Sequence, residues 1–193
     1  MPNVSVFTFD KFNVVVGGLV KCYNNLNNCK IENSTINSSD ISNSIINAGT
    51  EVDHAFMRGT IVGNNAKIGV FSRLRENSII GNNVKIGNFV ETKNATISTG
   101  SKVPHLTYVG DAKIGKNVNV GCGTVFCNYN GKIKQQTVVG DNVFIGSNSN
   151  LVAPLNIENN SYVAAGSTIT NLVPANALAI ARSRQINKLN YIK

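Results

Sequence analysis

The chain has 193 residues, 42% of them hydrophobic, a mean hydropathy of −0.02, a formal net charge of +8 and only 7% aromatic residues. That length and balance predict a single domain with a core of its own, and no apolar run approaches the ~20 residues needed to cross a bilayer. Tryptophan is absent and the basic residues are scattered along the chain, which argues against a nucleic-acid surface and favours phosphorylated small molecules as the anionic partner.

Segment 1–28 shows no repeat and carries no assignable task. Within it VSVFTF and FNVVVGGLV each read as a strand, and the Asn-rich CYNNLNNC reads as a loop. The opening MPNVSVFTFDK lacks the basic start and long apolar stretch of a signal peptide. Cys22, Cys29, Cys122 and Cys127 form no CxxC pair, so reduced thiols in a cytoplasmic protein are expected. Asparagine is very abundant, so N-x-S/T matches such as Asn94-Ala95-Thr96 read as chance.

A repeat domain is expected over 29–179, followed by a polar, basic tail over 180–193 that covers the last coil or a neighbouring subunit. It opens with two degenerate units of equal length, CKIENSTINSSDISNS and IINAGTEVDHAFMRGT. From Ile61 the count is in sixes (IVGNNA, KIGVFS, RLRENS, IIGNNV, KIGNFV), with an aliphatic residue second in most hexads and a small or β-branched one sixth. Inward and outward positions therefore alternate across each junction, which makes a short strand with one buried face. Gly and Asn near the hexad centre suit a turn needing positive φ. Three hexads make one coil, and coils stacked at about 4.8 Å make an all-β parallel β-helix.

The count breaks twice. The stretch Val103–Ala112 runs longer than the hexads beside it, and is expected as a four-residue insertion carrying His105 and Tyr108. A regular frame interrupted by a loop with a good proton-transfer residue reads as a site. The second break, Val125 to Thr137, is a longer insertion with the polar tip Asn128, Tyr129, Asn130, Gly131, Lys132 and Lys134. A loop this long on a solenoid covers a site, reaches the next subunit or is simply solvated.

Period becomes geometry. Arg75 and Lys93, one full coil apart, are expected one above the other, and stacked like charges are costly unless an anion lies between them. A phosphate fits, with Arg giving a bidentate grip; two solvated, splayed side chains are the alternative. Glu91 is expected between Arg73 below and Lys113 above, as part of a charge ladder or as a group orienting the His105 region. His54, inside a regular coil, reads as structural. Two histidines are too few for a zinc hydratase with three histidine ligands, and no metal has evident ligands. Cys122 and Cys127 read as packing or groove-lining residues.

Several segments, in order, carry a resemblance: RLR at 73–75, GNFVETK at 87–93, HLTYVGDA at 105–112, NVNVGCGT at 117–124, CNYNG at 127–131, VFIGSNSNLVAP at 143–154 and NALAIAR at 176–182. Together they resemble the C-terminal acetyltransferase domain of the bifunctional glucosamine-1-phosphate N-acetyltransferase/N-acetylglucosamine-1-phosphate uridyltransferase family. The match is strong over 61–182, weaker over 29–60 and absent over 1–28. HLTYVGDA with CNYNG is specific to that family, whereas hexapeptide repeats are shared by many acyltransferases.

The resemblance implies a left-handed parallel β-helix, against the usual right-handed crossover rule. It also implies a homotrimer with sites between subunits, acetyl-CoA as donor and glucosamine-1-phosphate as acceptor. By family role His105 matches the general base and Glu91 a carboxylate near it. Arg75 and Lys93 match residues holding the sugar phosphate. Tyr108, Asn119, Asn128 and Tyr129 match residues around the sugar and acetyl group, and Lys134 a loop residue reaching the site. Cys122, Ser147, Ala165 and Arg182 match contacts of coenzyme A, with alanine frequent in the family at the Cys122 position. The uridyltransferase half is missing, which leaves a stand-alone acetyltransferase or an excised one with an unusual leader; the unmatched segment 1–28, beginning at Met1, favours the stand-alone enzyme, for which a separate uridyltransferase is one possible partner. Two rival readings are an N-acetyltransferase for a nucleotide-linked amino sugar and a non-enzymatic binding or assembly module. Acceptor competition separates the first, and absence of acetyl-CoA consumption the second.

Overall fold

The structure, a computed structural model, describes residues 15–20 and 24–192, and among these every regular element is a β-strand. The strands pair in parallel from coil to coil in a solenoid of about nine turns. The expected strand VSVFTF lies outside the described residues. Of FNVVVGGLV, Val15–Val20 forms a strand paired with Lys30–Asn37, so the ladder continues below residue 29. The expected loop CYNNLNNC is corrected in part: Asn25–Asn27 is a strand, in register with Asp40–Ser42. Its alternation, with Leu26 between two asparagines, is too short to stand out in sequence.

One inward side chain per face builds the core. Val62, Ile68, Leu74, Ile80 and Ile86 are buried and stand in register with their counterparts above and below. Each contributes about 1.5–3 kcal/mol by leaving water. The sixth positions, among them Ser78, Thr124, Ser149 and Ser161, are buried too. Their hydroxyls are satisfied locally, as where Thr124 donates to the Gly121 carbonyl at 2.7 Å and Ser149 to that of Gly146 at 2.7 Å. Lower in the solenoid the coils shorten. Ile31 pairs with Ile46 and Ile46 with Val62, so the degenerate units are real coils, each tighter than the regular ones above.

Corners explain the asparagines. Each turn needs a residue at positive φ, a conformation that costs most side chains about 1–2 kcal/mol but costs Gly and Asn little. Asn65, Asn83, Asn117, Asn142 and Asn160 supply it, with φ from 54° to 58°. Some corner amides also bond upward, Asn117 to Asn142 at 3.3 Å and Asn142 to Asn160 at 3.1 Å. A different corner breaks the rule with His54, Phe71, Phe89 and Leu106, all at positive φ. The two phenylalanine rings stack at 5.6 Å and His54 meets Phe71 edge-on at 5.9 Å.

The two breaks differ in kind. The second is a true insertion: Ile114 pairs with Val139, where a regular coil would have brought Lys132 to that place. The first is not, and the expected four-residue insertion at Val103–Ala112 is corrected. Ile80 pairs with Ile97, and Ile97 with Ile114, where regular coils would have brought Ser98 and Gly115. Each of these coils is one position short, because the steps from Thr92 to Ile97 and from Val109 to Ile114 are five and not six. Pairing between Glu91–Ile97 and Tyr108–Ile114 runs unbroken through both. A strict count of six slips out of phase there, and the slip mimics an insertion.

Candidate functional site

Rephasing the coil places the predicted residues on two adjoining faces of the prism, with one corner between them. His105 ends the strand Lys102–His105, above Asn88 of the coil below. It is exposed, and its backbone carbonyl accepts a hydrogen bond from Thr107 Oγ1 at 2.6 Å. Leu106, with φ of 44°, turns the chain immediately after it. Asn119 lies on the same face one coil higher, over Lys102. Cys122, Ser147 and Ala165 each precede a positive-φ residue, namely Gly123, Asn148 and Gly166, as His105 precedes Leu106. The amide of Asn148 donates to the Cys122 carbonyl at 2.7 Å and that of Gly166 to the Ser147 carbonyl at 2.8 Å, which fixes these residues as one column. The position of a Cβ built on Gly166 lies 3.8 Å from Arg182 Cδ, so the cation closes the top of that column. Four residues far apart in sequence thus line up above His105, and three of them have small side chains.

The second face carries the charge. Arg73 is in register with Glu91, and the Arg75 amide donates to the Thr92 carbonyl at 2.8 Å, which stacks Arg75 and Lys93 as expected. Arg75 Nη1 also donates to Glu91 Oε1 at 3.0 Å, with both side chains about one-third exposed. The expected neighbour above Glu91 is corrected: Tyr108 stands there, whereas Lys113 stands over Thr96. The cause is again the short coil. Above Lys93 is Gly110, whose missing side chain leaves room for Tyr108: a Cβ there would overlap Tyr108 Oη and lie 2.7 Å from Asn128 Nδ2.

The insertion leaves the solenoid beside this face. Its root, Asn128, is buried, and the Gln135 amide donates back to the Asn128 carbonyl at 2.7 Å. Tyr129 and Lys134 form an antiparallel bridge, and the Asn130 side chain accepts from the Lys132 and Ile133 amides at 3.0 and 2.9 Å. Tyr129 and Lys134 are exposed. The hairpin brings the Lys134 ammonium within electrostatic reach of that of Lys93.

Electrostatics marks that meeting. The Lys134 ammonium, then the Arg75 guanidinium, hold the Lys93 pKa below the ordinary lysine value, while Asp111 acts in the opposite sense. A lysine with a depressed folded-state pKa is penalised in its charged form. The penalty to folding is therefore present below the folded pKa and is lost as pH rises through it toward the unfolded value. We expect Lys134→Ala to raise the Lys93 midpoint in a side-chain NMR titration; an unchanged midpoint would show that the two ammoniums do not interact. A phosphate bound between the cations should raise it as well.

Asp111 escaped the reading of the sequence. It sits at a corner with φ of 47°, and accepts Asn94 Nδ2 at 2.6 Å on one oxygen and Asn128 Nδ2 on the other. Its only sequence signal is its place in HLTYVGDA. Arg58, one coil below Arg75, is spoken for by Asp40 at 2.8 Å and lies 3.9 Å above the Phe56 ring. Cys29, Cys122 and Cys127 are free thiols, and burial pushes Cys127 and Cys29 up from the ordinary thiol value. Among the described residues no three His, Cys, Asp or Glu side chains gather as a metal site, and no helix is long and apolar enough to cross a membrane.

The family described as bacterial transferase hexapeptide (six repeats) matches residues 59–94 and 136–171. The chain is 58% identical over 156 residues to the bifunctional protein GlmU of Caldanaerobacter subterraneus subsp. tengcongensis, covering 81% of this chain and 34% of that protein. It is 53% identical over 173 residues to the bifunctional protein GlmU of Thermoanaerobacter pseudethanolicus, covering 86% of this chain and 38% of that protein. The matched part is C-terminal in those relatives, and the chain spans about a third of their length. Among solved structures, the UDP-N-acetylglucosamine acyltransferase from Campylobacter jejuni superposes with a TM-score of 0.74 at 12% identity, over 89% of this chain and 75% of that one. That likeness shows the fold, a left-handed parallel β-helix.

Proposed function

We propose that this chain is an acetyl-CoA-dependent N-acetyltransferase that converts glucosamine-1-phosphate to N-acetylglucosamine-1-phosphate, in the route to UDP-N-acetylglucosamine. The observation that carries this reading is the 58% identity over 156 residues to a bifunctional GlmU, whose C-terminal part the chain matches. The geometry supports it independently. Arg75 and Lys93 offer two stacked cations to a phosphate, and the column of Cys122, Ser147 and Ala165 offers a strip of small side chains ending in Arg182. A long, thin pantetheine arm with phosphates at its far end fits such a strip, so acetyl-CoA suits the residues present.

In this mechanism His105 accepts a proton from the amine as the nitrogen attacks the acetyl carbonyl. The C–N bond forms, the C–S bond breaks, and the proton passes on to the departing thiol. The transfer is direct, with no covalent enzyme intermediate. Tyr108, Asn119, Asn128 and Tyr129 surround the sugar and acetyl group, Lys134 reaches the anion from its hairpin, and backbone N–H groups stabilise the oxyanion. Glu91 orients Arg75 and lies near the base when the site is complete.

Completion needs a second copy. In one chain His105 and the Lys93 stack lie on opposite sides of the Leu106 corner. Leu106 and Thr107 link His105 to the strand Tyr108–Ile114, and the path from Leu106 to Gly110 is at most about 13 Å long, at roughly 3.3 Å per residue. In this reading the His105 face of one copy meets the cation face of another in a homotrimer. Both substrates are intracellular metabolites, which implies a cytoplasmic protein. The test is free-thiol release from acetyl-CoA with a panel of amino sugars, alongside light scattering. Turnover with glucosamine-1-phosphate by a trimer is expected. Preference for a nucleotide-linked amino sugar, or full activity as a monomer, overturns the assignment of acceptor or of shared sites.

A further inference from the structure

We propose that Asp111 is a positioning residue that sets which way the Asn128 amide faces, and so gives the site a hydrogen-bond acceptor for an N–H or O–H group of the amino-sugar substrate. This inference rests on the acetyltransferase reading above. It begins with a chemical asymmetry: an ionised carboxylate only accepts hydrogen bonds, whereas an amide has a donating end and an accepting end. Asp111 Oδ2 receives Asn128 Nδ2, and the same nitrogen lies 3.4 Å from Tyr108 Oη. The donor end of Asn128 is therefore held at the carboxylate, and Oδ1 is left to face a ligand. Asn128 is only 8% exposed, so an amide turned the wrong way would set its oxygen against the carboxylate with little water to relieve it.

The carboxylate is itself fixed. Its other oxygen accepts Asn94 Nδ2 at 2.6 Å, from the coil below. Asp111 takes positive φ, which Asp tolerates with less strain than most residues, so its side chain springs from a corner and not from a mobile loop. Gly110 completes the arrangement, because any side chain there would displace both Tyr108 and Asn128. The result is a braced chain of contacts, Asn94 to Asp111 to Asn128 and Tyr108, running up the face that carries the stacked cations.

The experiment exchanges the two ends of the pair. Asp111→Asn keeps size and corner geometry, removes the acceptor-only partner and frees the Asn128 amide to turn. The double variant Asp111→Asn/Asn128→Asp restores one amide and one carboxylate, with unchanged net charge and an oxygen still facing the ligand. For the intact chain we expect Asp111→Asn to lower kcat/KM for glucosamine-1-phosphate about 10–100-fold, the worth of a hydrogen bond with a charged partner. The KM for acetyl-CoA should stay near the parent value, and the double variant should recover at least about tenfold of the loss. An independent readout is the Asn128 side-chain amide in 15N NMR, which should lose its protection from exchange in Asp111→Asn. Parent-like kcat/KM with a parent-like amide signal overturns the proposal, and so does a loss that the exchanged pair fails to recover. A parent enzyme inactive on glucosamine-1-phosphate counts against the acetyltransferase reading instead; the amide signal then decides the role of Asp111 alone.

Discussion

Replacing His105 with alanine should lower kcat by about 10²–10⁴-fold, the usual worth of a positioned general base, while acetyl-CoA binds as before. The imidazole is exposed, and among the described residues no hydrogen bond engages its ring. It therefore contributes little to folding, and its removal should change stability by no more than about 0.5 kcal/mol. The column above it, proposed to hold the coenzyme, is tied by backbone bonds from Asn148 to Cys122 and from Gly166 to Ser147, which alanine at His105 leaves in place. The loss should thus appear in single-turnover chemistry and not in the affinity for acetyl-CoA. Near-normal turnover in His105→Ala would remove this residue from the mechanism. A large fall in thermal stability would instead show that the strand end, not the proton transfer, had been damaged.

Much of this arrangement is legible in the sequence because a solenoid turns period into position. The aliphatic second position of the hexads marks the core, and the spacing of one full coil stacks Arg75 on Lys93. Legibility ends where the period changes. The short faces at Thr92–Ile97 and Val109–Ile114 look like an insertion when counted in sixes, because nothing in the residues between marks a corner that saves one position. From that slip follow both the wrong neighbour for Glu91 and the expectation that His105 sits on a loop. A strand end positions an imidazole more firmly than an insertion, and the same phase puts Cys122, Ser147 and Ala165 in line above it.

Hydrogen bonding between side chains is hidden for a different reason. Asp111 joins Asn94 of the coil below and Asn128 of the coil above. Spacing predicts such neighbours once the coil length is known, but not which way each side chain turns. The same holds for Arg75, whose partner Glu91 is one coil up and displaced along the strand, and so invisible to a count by whole coils. The residues left over by pattern reading are those that brace the predicted ones.

The second large effect concerns the phosphate. If Arg75 and Lys93 hold the anion of glucosamine-1-phosphate, replacing either by alanine removes charge-assisted hydrogen bonds to it, and KM for the sugar phosphate rises about tenfold or more. Acetyl-CoA should bind unchanged, because the column proposed for it lies on the adjoining face. The two cations are not equivalent. Arg75 is tied to Glu91 at 3.0 Å, so Arg75→Ala also releases a carboxylate beside the anion site, and its loss should be the larger. Lys93 is crowded by the Lys134 ammonium and by Arg75, so Lys93→Ala should leave thermal stability the same or slightly higher without substrate. The double variant should lose less than the two single losses together, because both cations grip one phosphate. Unphosphorylated glucosamine supplies the control: with no anion to hold, it should respond weakly to either change. Strict additivity, or an equal loss with glucosamine itself, would show that these cations do not read the phosphate.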